Sequence, residues 1–263
     1  MNRRAFITLL GGAAAWPLAA RAQQSAKVYR VGMLETISEA LNAANLAAFR
    51  HSLRGLGYIE GQNLSIEYRS ADGRAESFPA MAGELVRSNV DLIVTRGTPA
   101  SLAVKNATAT IPVVMAAIAE PFSSGLVAGL ARPGGNFTGL SSFAAVLDAK
   151  RVELLREAVP GAARIAVLMN MGNPVQLIEW KEVEVATQSL GISRQLLDVR
   201  KIADIGPAFD AASAQHADAL FVGIDAIMQA NSALIAELAT KHRLPAIYAS
   251  REFIEAGGLF AMA

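Results

Sequence analysis

The stretch Asp91-Leu92-Ile93-Val94-Thr95-Arg96-Gly97-Thr98-Pro99-Ala100 decides the fold of this 263-residue chain. Residues 91–95 form an apolar run of strand length, with no exposed face in their pattern, as a strand buried on both sides requires. A polar turn follows at Arg96-Gly97. Thr98 then suits a helix N-cap and Pro99 a first helical position, so a short helix is expected over 99–106. Strand, tight turn and helix make up half of a βαβ unit, and such units build parallel sheets with right-handed crossovers.

The same rhythm extends in both directions. Upstream, residues 28–34 read as a strand. Leu46, Phe49, Leu53 and Leu56 follow at helical spacing, with Gly57 as the C-terminal glycine. Leu64, Ile66 and Tyr68 alternate as in an edge strand, and 79–87 is helix-like. Downstream, 111–116 is a strand with Pro112 near its start, where proline is tolerated. The Pro-Gly-Gly stretch in 132–141 reads as a linker leading into a crossing strand. The pattern then restarts with strands at 164–169, 192–199, 219–222 and 246–248. Helices are expected at 174–190, 205–214, 227–242 and 251–256. The expected fold is therefore α/β, with two doubly wound parallel-sheet lobes. The first is mainly residues 27–140 and the second mainly 143–256.

The N-terminus carries an export signal pattern. Met1-Asn2-Arg3-Arg4-Ala5-Phe6-Ile7 gives a charged start, an apolar small-residue stretch runs to Ala20, and Ala20-Arg21-Ala22 is a small-x-small cleavage site. Twin arginines followed by Phe-Ile resemble a twin-arginine leader, and the ordinary secretory route stays open beside it. The apolar stretch falls short of the roughly 20 residues needed to span a bilayer. Losing Arg3, Arg4 and Arg21 takes the formal charge from +1 to −2, which leaves no electrostatic footprint for nucleic acid or anionic lipid. The chain has no cysteine, so it has no disulfide, no thiolate metal site and no lipid-anchoring cysteine. His51, His216 and His242 lack metal-ligand spacing, and phosphate-loop, dinucleotide and nucleophile-elbow motifs are absent. No catalytic residue, metal or cofactor is expected.

In open parallel sheets, ligands bind beyond the carboxyl ends of the strands. That rule selects Leu34, Glu35 and Thr36, then Arg96, Gly97 and Thr98, then Glu120 and Pro121. In the second block it selects Asn170, Asn173, Asp225 and Ser250. Helix-start amides at Thr98 and Asn173 favour a carboxylate, with Arg96 adding charge. Glu120 and Asp225 are placed to meet an ammonium, or alternatively to compensate helix N-termini. Together these groups suit a zwitterion.

Several stretches carry a family resemblance: Gly97-Thr98-Pro99-Ala100, Ile111-Pro112-Val113-Val114, and above all Leu130-Ala131-Arg132-Pro133-Gly134-Gly135-Asn136-Phe137-Thr138-Gly139. Pro245-Ala246-Ile247-Tyr248 and Arg251-Glu252-Phe253-Ile254-Glu255-Ala256-Gly257-Gly258-Leu259 complete it. The chain resembles the extracytoplasmic substrate-binding proteins of ABC-type importers, in the tryptophan/tyrosine-type branch. The resemblance implies a fold like the type I periplasmic binding proteins, with three crossing segments and a ligand between lobes that close on it. It implies a small-molecule ligand, a membrane permease as partner, a periplasmic location, and no nucleic-acid partner or membrane insertion. A monomer is expected. It also implies that residues 258–263 return to the first lobe, and that family members run on through a further helix and strand. Where they usually have Gly-Asp-Pro, this chain has Ala119-Glu120-Pro121. A ligand-sensing module for a membrane receptor and an exported Rossmann-like enzyme are the competing readings.

Export with cleavage after Ala22 makes a direct prediction. N-terminal sequencing of the secreted protein starts at Gln23, and a start beyond Val28 or retention of Met1 counts against it.

Overall fold

The computed structural model describes residues 27–142 and 144–262. The leader expected over residues 1–22 lies outside the described residues. The first half of the chain runs β1(Tyr29–Glu35), α1(Ala43–Gly55), β2(Leu64–Ser70), α2(Phe78–Arg87), β3(Leu92–Arg96), α3(Thr98–Ala107), β4(Val113–Ala119) and β5(Phe137–Ser142). The second runs α4(Ala144–Ala158), β6(Arg164–Met169), α5(Pro174–Ser189), β7(Ser193–Asp198), α6(Ile205–Ala214), β8(Ala219–Val222), α7(Ala226–Ala230), α8(Ser232–Lys241), β9(Ala246–Tyr248), α9(Glu252–Glu255) and β10(Phe260–Ala261).

The strands form two five-stranded sheets, β2-β1-β3-β4-β5 and β7-β6-β8-β9-β10. Every strand pair is parallel. Counted within its own half, each sheet has the order 2-1-3-4-5, so the second lobe repeats the first. Parallel strands need helical crossovers, and these cover both faces of each sheet. In the first lobe α1 packs on one face through Leu46 against Val31, Met33 and Val94, while Phe78, Leu85 and Val104 from α2 and α3 cover Leu34 and Ile93 on the other. In the second, Val152, Leu155 and Val183 lie on one face and Phe209, Ile235 and Phe253 on the other. Each fully buried large apolar side chain contributes roughly 1.5–3 kcal/mol.

Three features differ from the sequence reading. Residues 260–261 pair with Ile247 and Tyr248 on the second sheet, so at β10 the chain has not returned to the first lobe. Hydrogen bonding holds it there, with the Met262 amide donating to the Tyr248 carbonyl at 3.1 Å. The helix expected over 227–242 is two helices, broken at Asn231, whose side chain donates to the Ile227 carbonyl at 2.8 Å. Helix α4 was not anticipated. The first sheet ends with β5 at Ser142, and α4, which packs on the second sheet, begins at Ala144.

The Asn136-Phe137-Thr138-Gly139 stretch has a specific structural task. The Asn136 side chain donates to the Ile111 carbonyl at 2.7 Å, which fixes the entry into β4. Gly139 then lies on β5 opposite Met115, at φ 141, where the β4–β5 register shifts. A Cβ at this position would come within 2.2 Å of the Met115 carbonyl oxygen. Only glycine permits that backbone approach. Gly139→Ala is therefore expected to destabilise the protein by about 2 kcal/mol or more. The thermal midpoint, followed by circular dichroism, should drop by several degrees; an unchanged midpoint would show that β5 can shift to accept a side chain.

Candidate functional site

The sheet order places a topological switch point in each lobe, where neighbouring crossovers diverge to opposite faces. In the first lobe it lies between β1 and β3, with Glu35 and Thr36 at one strand end and Arg96 and Gly97 at the other. In the second it lies between β6 and β8, with Asn170 and Asp225 just beyond the strand ends. These two edges face each other. A narrow cavity of 120 Å³ is lined by Thr36, Arg96, Gly97 and Thr98 from the first lobe and by Asn173, Asp225 and Gln229 from the second. A larger cavity of 830 Å³ adjoins it, sharing Arg96, Ser142, Ile224 and Gln229 and reaching Arg151, Ser250 and Glu252.

The first-lobe wall is set by the β3–α3 turn. Gly97, not Thr98, is the N-cap of α3, because its φ of 84 turns the chain sharply into the helix. Its missing side chain leaves room for Thr36, whose Cγ2 would lie 2.6 Å from a Cβ at 97. Thr98 is the first helical residue, and its hydroxyl donates to the Ala119 carbonyl at 3.3 Å, tying α3 to the end of β4. Arg96 crosses the cleft, with Nη2 3.4 Å from Glu252 Oε1 on α9. Among the described residues, the Arg96 Nη1, Thr36 Oγ1 and Glu35 Oε2 atoms are buried without a protein hydrogen-bond partner. A bound polar molecule would satisfy such groups, which otherwise cost stability. Burial pushes the Glu35 carboxyl up to about 7 despite the opposing pull of Arg96. Burial also acts on Glu252, but its own backbone amide, Ser250 and Arg96 outweigh it and hold that carboxyl below its ordinary value.

The second-lobe wall is a hydrogen-bonded cluster. Asp225 caps α7, accepting from the Ile227 amide at 2.9 Å, from Asn173 Nδ2 at 2.9 Å and from Asn170 Nδ2 at 3.2 Å. Asn173 caps α5 with its oxygen on the Val175 amide at 3.3 Å, as its position before Pro174 implies. Asn170 also orders its own turn through the Gly172 amide at 3.0 Å. Burial raises the Asp225 carboxyl, and the donors from Asn173, Ile227 and Asn170 oppose that. Between the walls, Ala119 packs on Val175 and Ile224 across the cleft.

Several sites expected from sequence fall elsewhere. Leu34 is fully buried in the first-lobe core, because its strand parity turns it toward α2 and α3. Glu120 and Pro121 line a separate 340 Å³ surface depression with Phe122 and Leu130. Glu120 sits at φ 49, and its carbonyl accepts from the Ser124 amide in the turn that leaves β4. Glu35 and Asn170 lie behind the cleft surface rather than on it. Thr36, Arg96, Gly97, Thr98, Asn173, Asp225 and Ser250 are brought together around the two adjoining cavities. Gln229, Glu252 and Arg151 were missed. Gln229 stands one helical turn after Asp225, a spacing readable once α7 is known. Arg151 is 2% exposed, pairs with Asp148 and donates from Nε to the Met262 carbonyl at 2.8 Å, burial that its charged helix does not announce.

The profile of the ABC transporter substrate binding protein family matches residues 30–263. The chain belongs to that family. A crystal structure of a conserved domain protein from Vibrio cholerae O1 biovar eltor is 28% identical, with a TM-score of 0.80 over 90% of this chain and 80% of that one. An ABC domain from Streptococcus pneumonia, in complex with L-Trp, shares the fold with a TM-score of 0.79, 24% identity and the same coverage. The Tyrosine-binding protein of Clostridioides difficile is 25% identical over 211 residues, which are 80% of this chain. The chain spans 60% of the length of that curated relative. Among the described residues, no helix is long and apolar enough to cross a membrane.

The Asp225 cluster carries a stability prediction. Asn173→Ala removes the α5 cap, worth about 1 kcal/mol, and takes a donor from buried Asp225, costing about 1–3 kcal/mol more. Urea titration should show a lower midpoint with an unchanged slope.

Proposed function

We propose that this chain is a periplasmic receptor that closes two lobes on a small zwitterion, an amino acid or a close relative, and delivers it to the membrane permease of an ATP-driven importer. It binds its ligand without chemical turnover. Export through the leader at residues 1–22 and cleavage after Ala22 belong to the same reading. One observation carries it. The strand-end edges of two parallel sheets face each other across a polar cleft, with Arg96 on one wall and Asp225 on the other. Arg96, with a buried nitrogen that has no protein partner, suits a ligand carboxylate. Asp225, ordered by two asparagines and a backbone amide, suits an ammonium. Family membership supports the receptor role, and the relatives named for tyrosine and tryptophan support an amino-acid ligand.

A thermal-shift screen of the mature protein against amino acids and small organic acids tests this reading. A true ligand at about 100 times its Kd adds about 2.7 kcal/mol of stability. With the ligand found, Arg96→Gln and Asp225→Asn are each expected to weaken binding by about 2–5 kcal/mol, read by calorimetry. Glu120→Gln, on a different surface, leaves affinity unchanged. Equal affinity in all three variants would remove the zwitterion assignment.

A further inference from the structure

Arg96 stands between two carboxylates that belong to different lobes. Glu35 is its neighbour across β1 and β3, since Leu34 pairs with Thr95 in register and the next residues on the two strands are Glu35 and Arg96. Parallel neighbours lie roughly 5 Å apart, with side chains on the same face. Glu252 reaches the same guanidinium from α9 of the second lobe. Arg96 spends one terminal nitrogen on Glu252 while the other is buried without a protein partner, and Glu35 Oε2 is buried without a partner as well. With the lobes in contact, the guanidinium donates to the opposite lobe, while the buried Oε2 of Glu35 in its own lobe receives no hydrogen bond among the described residues.

We propose that Arg96 exchanges partners when the lobes move, pairing with Glu252 in the closed form and with Glu35 in the open form, so that closure is coupled to proton uptake by Glu35. This rests on the closing-receptor reading above. The coupling follows from elementary electrostatics. Separating the lobes removes Glu252 from Arg96 and admits water, and both changes favour ionised Glu35. Closing them withdraws water and gives Arg96 to Glu252, so Glu35 keeps a proton.

The surroundings leave Glu35 as the group that responds. Beside it on β2, the Tyr68 hydroxyl is committed to the Ile37 carbonyl at 2.7 Å and accepts from Asn42 at 3.2 Å, and burial holds its ionisation up at about 12. Asp72, in the turn after β2, accepts from the Ser70 hydroxyl and is exposed. Arg69 turns away to Glu67 and Glu84. Glu39, beyond the end of β1, pairs with Arg50 on α1. On α9, Arg251 and Glu255 pair with each other at the surface.

The sign is fixed by the raised value of about 7 in the closed form against 4.5 ordinarily. The closed form binds the extra proton between those two values, so closure is favoured at low pH and weakens as pH rises toward 7. The chain has no cysteine, so spin labels can be placed at Glu76→Cys and Ile202→Cys, two exposed positions from the two lobes that line a further 440 Å³ cavity between them. Pulsed electron resonance then reads the closed fraction from pH 5 to 8. The expected closed-to-open ratio is at least about tenfold higher at pH 5 than at pH 7.5. Glu35→Gln should abolish that dependence, and Glu252→Gln should shift the population toward the open form at every pH. A ratio that does not change with pH, or the same pH profile in Glu35→Gln, overturns the proposal. Adding a mixture of the common L-amino acids separates the two ideas. If the distances change with amino acids but not with protons, only the coupling fails. If a single distance persists under every condition, closure itself fails and the coupling with it.

Discussion

A parallel sheet with right-handed crossovers gathers all its strand carboxyl ends on one edge, and everything functional here depends on that constraint. The order 2-1-3-4-5 opens a crevice beside the first strand of each lobe, where the flanking helices leave to opposite faces. Two such lobes set edge to edge give a cleft whose walls are loops and helix starts. Those loops carry helix starts and short polar side chains, while the apolar strands behind them hold the loops in place.

The walls divide the electrostatic work unequally. The second-lobe wall is satisfied internally: Asp225 has three donors and both asparagines are engaged on two sides. Such a network is rigid and resists rearrangement. The first-lobe wall keeps buried polar atoms without protein partners around Arg96, which suits a surface that trades partners.

The legible parts of the sequence were those where a local rule and the tertiary need coincide. The β3–α3 turn was visible because buried strand, glycine and proline each have a local signature, although the cap fell on Gly97 and not Thr98. Asn173 before Pro174 was read correctly as a cap for the same reason. Helix α4 was hidden because the charges in its Asp148-Ala149-Lys150-Arg151 segment mimic a solvated surface, while Asp148 and Arg151 pair in the interior. The break at Asn231 was hidden because the apolar spacing continues through it. Glu120 looked like a site acid because it follows a strand, but the chain leaves β4 through a left-handed turn that carries it to another face. Strand order and handedness follow from pattern; partner choice among buried charges depends on contacts across more than a hundred residues, as with Arg96 and Glu252.

Among the described residues, each sheet is built from consecutive strands, and this has a consequence for folding. Each sheet draws its five described strands from one consecutive run, β1–β5 or β6–β10, so that ladder closes without waiting for the other. Contacts within each half are comparatively local, which shortens the conformational search relative to a sheet that interleaves both halves. During synthesis β1–β5 emerge before β6–β10, and can condense in that order. Docking of the two halves is then a late step in assembly.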